Sequence, residues 1–469
     1  MLDRDPKVRT SKAVWIPVVW MLLAASRPFS EWTRNAPERT VVENLEGNPL
    51  QRNIFGVLMA IGIIVLVVRG RKVLTLLRMN GPILLYFSYC ALSILWSDYP
   101  DVAFRRWMKA LGDLVMVMII LTDPERSAAV KRFLARTGFL LVSISVLLIK
   151  YYPELGLQYK VQDGLQTVGG VTTNKNLLGV ICLLFGLGAV WRVVHVLRER
   201  RHTGANRPLI VYTVILAMVC WLLWKANSMT SLACFVLASA LIVATSYLAL
   251  ARKRTVVFLL VSTILAVALL ALFSGAGAGL VKELGRDPTL TGRTELWKEI
   301  VSMNGNPLFG TGFESFWMGP RLDTIWSMHW WHPNEAHNGY LEVYLNLGWT
   351  GLALLAVVIV TGYRNALGML GWDPEAGGLR LAYIIVGLIY SFTEAGFRLL
   401  SPVWICFMLA AIAVPKSLAP EISDLRNSPA EAAAQNIKLR KLKVIGPREV
   451  ARYKPLPARL VSSKNAILA

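Results

Sequence analysis

Cysteine and histidine are scarce, at five residues each in 469, and acidic side chains number 29 against 50 Lys and Arg. The cysteines (Cys90, Cys182, Cys220, Cys234, Cys406) all fall inside apolar stretches, with no pairing pattern and no CxxC. That excludes a disulfide scaffold and a zinc-finger framework and leaves them as small core residues. The chain has no HExxH, no P-loop and no GxGxxG in a strand-to-helix context, so zincin and dinucleotide-binding chemistry are excluded as well. Polar linkers of the kind that divide soluble chains into domains are also missing.

What fills the chain is apolar sequence: 55% hydrophobic residues and a mean hydropathy of +0.49. It falls into blocks of about 16 to 22 residues, the length that crosses a hydrocarbon core of roughly 30 Å. The pattern predicts an all-α polytopic membrane protein with about twelve spans, near 13–26, 53–69, 82–97, 104–122, 133–150, 176–197, 208–225, 229–250, 255–273, 338–362, 379–396 and 400–415. The basic start, with Arg4, Lys7, Arg9 and Lys12 before a short apolar run, reads as an uncleaved first helix.

The formal charge of +21 suggests nucleic acid only until its placement is considered. Lys and Arg gather in alternate short gaps, such as Arg69/Arg71/Lys72/Arg78 and Arg252/Lys253/Arg254, and in the tail. This is the positive-inside pattern reinforced by anionic lipid, and it predicts cytoplasmic termini and no nucleic-acid partner. Residues 1–273 then hold spans 1–9, 274–337 an extracytoplasmic loop, 338–415 spans 10–12, and 416–469 a basic cytoplasmic tail.

The loop is too long to be structureless without a function. Three of the five histidines, His329, His332 and His337, lie within nine residues at its end. With Glu335 they offer metal-type donors, but the spacing fits no known ligand set, and no metal or other cofactor is expected. His337 stands at the mouth of a span, followed by Asn338, Tyr340 and Glu342, where a neutral imidazole can act as general base on a hydroxyl. Arg293, near Glu295 and Trp297, presents a planar fork suited to phosphate. The loop tryptophans (Trp297, Trp317, Trp326, Trp330, Trp331) suit either sugar stacking or an interfacial belt. Gly310 and Gly312 read as turn punctuation.

Elsewhere, Arg105, Lys109 and Asp113 repeat every four residues on one helical face, with Arg106 beside them. Charges at that depth face a cavity or snorkel to the surface. Lys175 and Asn176 open another helix and can meet an anion. Glu394 and Arg398, four apart, are expected to pair with each other.

These features together resemble the O-antigen ligase and O-antigen polymerase superfamily, and most nearly the repeat-unit polymerases of exopolysaccharide production in Gram-negative bacteria. The resemblance runs from Trp96-Ser97-Asp98-Tyr99-Pro100 to the last span. It rests on Gly292-Arg293 with Trp297, on Asn306-Pro307-Leu308-Phe309-Gly310-Thr311-Gly312, on Ala336-His337-Asn338-Gly339-Tyr340-Leu341 and on Lys175-Asn176-Leu177-Leu178-Gly179. It implies an inner-membrane glycosyltransferase-like enzyme, free of metal and nucleotide sugar, whose donor is an oligosaccharide on undecaprenyl pyrophosphate. It also implies contact with flippase and chain-length-regulator proteins. Arg293 would hold the pyrophosphate, and His337 would position or deprotonate the acceptor hydroxyl. Glu295, Trp297, His332, Asn338 and Tyr340 would line the substrate.

The family's ligases usually carry a Ser-Arg pair where this chain reads Lys225-Ala226-Asn227-Ser228-Met229, which puts that arginine's role in doubt and leaves Lys225, Lys175, Arg105 and Arg106 as candidate substitutes. This departure favours a polymerase over a ligase transferring glycan to another acceptor. A twelve-span secondary transporter is the remaining alternative, but the two similar halves with broken helices that it would show are not apparent.

Overall fold

The computed structural model describes residues 10–32, 49–159, 166–203, 207–247, 253, 255–259, 261–263 and 293–415. The expected basic tail 416–469, the loop portion 274–292 and most of the expected ninth span lie outside the described residues.

The described chain is predominantly helical. Counting helices of ten residues or more, α1 is Trp15–Ala25, α2 Pro49–Val68, α3 Gly70–Met79, α4 Gly81–Leu92, α5 Pro100–Leu121, α6 Arg126–Tyr151 and α7 Lys175–Thr203. They continue with α8 Arg207–Ala226, α9 Met229–Tyr247, α10 Arg293–Ser302, α11 Gly319–Met328, α12 Gly339–Leu370, α13 Pro374–Tyr390 and α14 Pro402–Ala411. A two-stranded antiparallel hairpin, β1 (Leu157–Tyr159) with β2 (Gln166–Val168), pairs Leu157 with Val168.

Among the described residues six helices are long and apolar enough to cross a membrane: α2, α6, α7 as far as Arg198, α8, α9 and α12. The pair α3 and Gly81–Trp96, bent by 88°, makes a seventh if it is one span. Apart from 255–273, each span expected from hydropathy overlaps a described helix. Those that miss the crossing criterion are short (α1, α13, α14) or, like α5, carry charge along their length. Burial ranks them: 83% of the apolar window of α7 is buried against 17% for α2, so α7 is central and α2 peripheral. All ten residues of α14 are buried beside it.

Local chemistry explains the ends. Asn338 caps α12, its Oδ1 accepting from the Tyr340 and Leu341 amides at 3.0 Å, and Asp373 caps α13 through the Ala376 amide with Pro374 in the first turn. The expected eleventh span, 379–396, stops at Tyr390 instead. Residues 391–401 are irregular, and their backbone is used differently: the Ser391 and Glu394 carbonyls both accept the Gly339 amide, tying this connection to the start of α12.

The described part of the loop is a small folded layer. Leu296, Ile300, Phe316, Trp317, Ile325, Ala336 and Leu345 form a buried cluster of their own. Its attachment to the membrane helices runs through a break in α12. Gly348 has φ of +65°, interrupting the helix. The Asn306–Gly312 segment fills the gap: the Thr311 and Gly312 amides donate to the Leu345 and Asn346 carbonyls, and the Trp349 and Thr350 amides donate to Pro307 and Leu308. Gly310, at φ +72°, faces the same junction. Glycine is required at both positions because the two backbones touch. The Trp96–Pro100 segment docks on the other side, where Ser97 Oγ meets Ser315 Oγ at 2.6 Å and Asp98 pairs with Arg321 at 2.8 Å.

A Cβ at position 348 would lie 2.3 Å from the Leu308 carbonyl oxygen. Gly348→Ala is therefore expected to lower stability by about 2 kcal/mol, from left-handed backbone strain plus displacement of the loop. Thermal unfolding in detergent measures it. The control is Gly368→Ala in the same helix, whose Cβ would meet nothing within 4 Å, and which should be neutral or slightly stabilising.

Candidate active site

Four separate stretches of chain converge on one cavity of about 450 Å³. The first turns of α5 bring Arg105, Arg106 and Lys109, the start of α7 brings Asn176, the loop layer brings Glu314, Glu335 and His337, and the 391–401 connection brings Glu394 and Arg398. Five cationic or basic side chains thus face three carboxylates.

The polar centre is His337. Its Nδ1 lies 2.9 Å from Glu335 Oε1 and 3.3 Å from Glu394 Oε2. Arg398 bridges the other carboxylates, with Nη1 3.1 Å from Glu335 Oε2 and Nε 3.4 Å from Glu314 Oε2. Glu394 Oε1 accepts from Asn176 Nδ2 at 3.1 Å and lies 3.4 Å from Arg293 Nη2. Arg106 donates to the Glu314 carbonyl oxygen. The expected Glu394–Arg398 pair does not form: outside a helix the four-residue spacing no longer places them together, and each takes a partner from another element.

The ring of His337 is held from behind. Its backbone is left-handed at φ +51°, Trp331 stacks on it at 6.3 Å, and the neighbouring Ala336 is fixed at both ends. The Ala336 carbonyl accepts from Trp297 Nε1 at 2.7 Å, and its amide donates to the buried Glu342 carboxylate. Burial alone would lower the pKa of His337. Hydrogen bonding of the ring to the Glu335 and Glu394 carboxylates, which accept, reverses that and raises it to about 9. The neutral imidazole expected from the sequence is therefore replaced by an imidazolium at neutral pH. Burial would raise Glu335, but His337 and Arg398 pull it down to about 2. Burial would likewise lower Arg398, and the carboxylates of Glu314 and Glu335 raise it instead.

Glu335, His337 and Glu394 bring donor atoms within 4.8 Å of one another, a set that would suit a cation. It is not the set read from the sequence. His329 turns to Glu299 at 2.6 Å and His332 packs on Trp326. Arg293 and Arg398 also engage the carboxylates of this trio, which makes it an ion-paired cluster.

The other sequence candidates divide clearly. Arg105, Arg106 and Asn176 line the cavity, and Arg293 stands behind Glu394, donating also to the Thr393 carbonyl. Lys175 is not among the lining residues, though Asn174 and Asn176 on either side of it are. Lys225 is exposed and lies over the Trp224 ring, away from the cavity. Glu295 and His332 are exposed and do not line it. Trp297 and Asn338 act as a brace and a helix cap, and Tyr340 packs between Phe392 and Phe397 while donating to the Leu388 carbonyl. None of the five loop tryptophans lines the cavity, and Trp317 and Trp326 spend their indole N–H on Glu342 and the Pro333 carbonyl. Glu314 emerges only from the structure, while Asp113 is already marked by its place on the Arg105 face. Glu314 follows the Gly310–Gly312 turn with φ of +52°, which only the folded loop reveals. Asp113 lies beneath the cavity, accepting from Trp20 Nε1 and the Leu400 amide, both at 2.8 Å.

Six helices of membrane-crossing length among the described residues mark a membrane protein, and its cavity is lined by cations set among carboxylates. Residues 214–356 match the O-antigen ligase family (Wzy_C). The chain is also 26% identical over 300 residues to the exopolysaccharide production protein ExoQ of Rhizobium meliloti, an alignment covering 61% of this chain and 66% of that protein, just under two thirds of it. The two findings bear out the resemblance to the O-antigen ligase and polymerase superfamily. The family match includes Arg293 and His337 but not the cavity's other walls, α5, the start of α7 and the 391–401 connection.

Proposed function

We propose that the protein is a glycan polymerase of exopolysaccharide or O-antigen synthesis, joining oligosaccharide repeat units carried on undecaprenyl pyrophosphate at the outer face of the bacterial inner membrane. The observation that carries this reading is the cavity in which Arg105, Arg106, Lys109 and Arg398 surround the His337 cluster. A diphosphate needs several cations, and a sugar hydroxyl needs a polar group aimed at it. This cavity offers both.

In the reaction the acceptor hydroxyl oxygen attacks the anomeric carbon, the bond to the diphosphate oxygen breaks, and the electron pair leaves on the polyprenyl diphosphate. The lining cations and Arg293 neutralise that charge, and the His337 imidazolium orients the reacting oxygens. Glu394, the His337 partner that Arg398 does not touch, takes the hydroxyl proton. Because diphosphate is already a good leaving group, orientation and charge neutralisation supply most of the rate. No cofactor is called for in this scheme.

The same reading sets the topology: twelve crossings, loop 274–337 outside, both termini and the 416–469 tail in the cytoplasm, and chain-length-regulator and flippase proteins as neighbours. The departure at Lys225–Met229 favours polymerase over ligase, since the ligase pattern places an arginine there. A deletion strain separates them. Accumulation of single lipid-linked repeat units is the expected result, whereas long lipid-linked polymer awaiting transfer would make the protein a ligase.

A further inference from the structure

A second cleft, of about 300 Å³, lies between α2 and α5 and shares Arg105 and Lys109 with the main cavity. Its shape follows from how the two helices meet. They run in the same direction: Arg69, just after α2, bonds Ile119, Thr122 and Asp123 at the end of α5, while Arg52 near the start of α2 faces the same cleft as Arg105. At Gly62 they are in contact, since a Cβ there would be 2.9 Å from Val115. Nearer the start of α2, a Cβ at Gly56 would meet nothing within 4 Å. Gly56 itself lines the cleft, so the space beside α2 is open at that position.

The walls of this cleft are apolar: Phe55, Met59, Ala60, Ile63, Phe104 and Met108, with Trp20 behind. Arg52, Arg105 and Lys109 face the same cleft, and no acidic residue lines it. The outer surface of α2 is bare apolar side chain, Val57 being 59% and Ile64 62% exposed, as expected where a helix faces lipid. An apolar cleft opening to lipid and ending in cations that also line a polar cavity matches one kind of ligand, a long hydrocarbon with a phosphate head.

We infer that this cleft holds the head-proximal part of the polyprenyl tail of the lipid-linked donor, with Arg105 and Lys109 passing its diphosphate into the cavity. The inference rests on the donor named above. Continuity with the cavity favours this occupant over a resident phospholipid, whose head would have no reason to reach Arg398 and His337. Burying apolar chain in the cleft contributes affinity at about 25 cal/mol per Å².

The test uses the full protein in nanodiscs and a photoreactive polyprenyl diphosphate that carries no glycan. Labelling is expected on α2 and α5, around Met59, Ala60 and Phe104. Gly56→Trp, which fills the cleft without a backbone clash, is expected to cut labelling roughly tenfold, the equivalent of about 1.4 kcal/mol. Val57→Trp, one residue on and facing lipid, should leave it unchanged. Labelling elsewhere, or equal labelling by photoreactive phosphatidylglycerol that polyprenyl diphosphate does not displace, overturns the inference. Because the reagent bears no sugar, labelling of the cleft with no glycan transfer would fault the polymerase reading and leave the tail site standing. Transfer without such labelling would do the reverse.

Discussion

His337→Ala and Arg293→Ala are each expected to reduce polymerisation by about 100- to 1000-fold, the range seen when one preorganised charge-stabilising group is removed. Neither substitution touches the membrane-facing surface, so both variants should reach the membrane in normal amount. Polymer length on gels and membrane quantity by immunoblot measure the two outcomes, and polymer of normal length from either variant would sink the assignment. His337 carries a further signature. Its pKa is raised from an ordinary 6.5 to about 9 by the two carboxylates. A raised value means that the interaction is fully present below pH 6.5 and is lost as pH climbs through about 9. Activity that needs the imidazolium should therefore hold across neutral pH and fall above about 9. A neutral-base mechanism predicts the opposite slope, with rate increasing as the ring deprotonates.

Arg398→Ala should be the most destabilising change in the site. The guanidinium joins Glu314 to Glu335, and removing it leaves two carboxylates facing each other's field beside Glu342 without a cation between them. Breaking a partly buried pair in this way costs about 3 kcal/mol. Arg398→Lys keeps the charge but not the two-armed reach, so it should recover part of the stability while activity stays low. Unfolding in detergent, followed by tryptophan fluorescence, separates the two effects. Equal stability of the alanine variant and the parent would show that the bridge does not organise the site.

The helices were largely legible because a bilayer dictates the length of an apolar run, a constraint that residue composition alone satisfies. Where hydropathy misjudged, tertiary structure had intervened. The expected span ran on through 391–396, Ser-Phe-Thr-Glu-Ala-Gly, yet the Gly339 amide claims the Ser391 and Glu394 carbonyls and the helix ends at Tyr390. That also undid the expected Glu394–Arg398 pair. Arg293, His337, Arg105 and Arg106 could be picked out because a charge or a histidine beside a membrane segment is costly to keep. Glu314 could not, since an acid in a polar loop carries no such signal. Lys175 and Lys225 had the signal and miss the cavity, because a position at a helix end does not specify which way the side chain turns.

The break at Gly348 has a consequence for assembly. Asn306–Gly312 closes the gap in α12 with its own backbone, so the loop is fastened at an interior point as well as at its ends. In chain-entropy terms a single long closure becomes two shorter ones, each less costly to order. The cost reappears as mutual dependence. The outer segment of α12 has carbonyls at Leu345 and Asn346 whose partners are loop amides, and inside a membrane protein such groups cannot wait unpaired. Broken helix and loop layer must therefore form in one cooperative event, and His337, seated where the loop enters α12, is ordered only when both are.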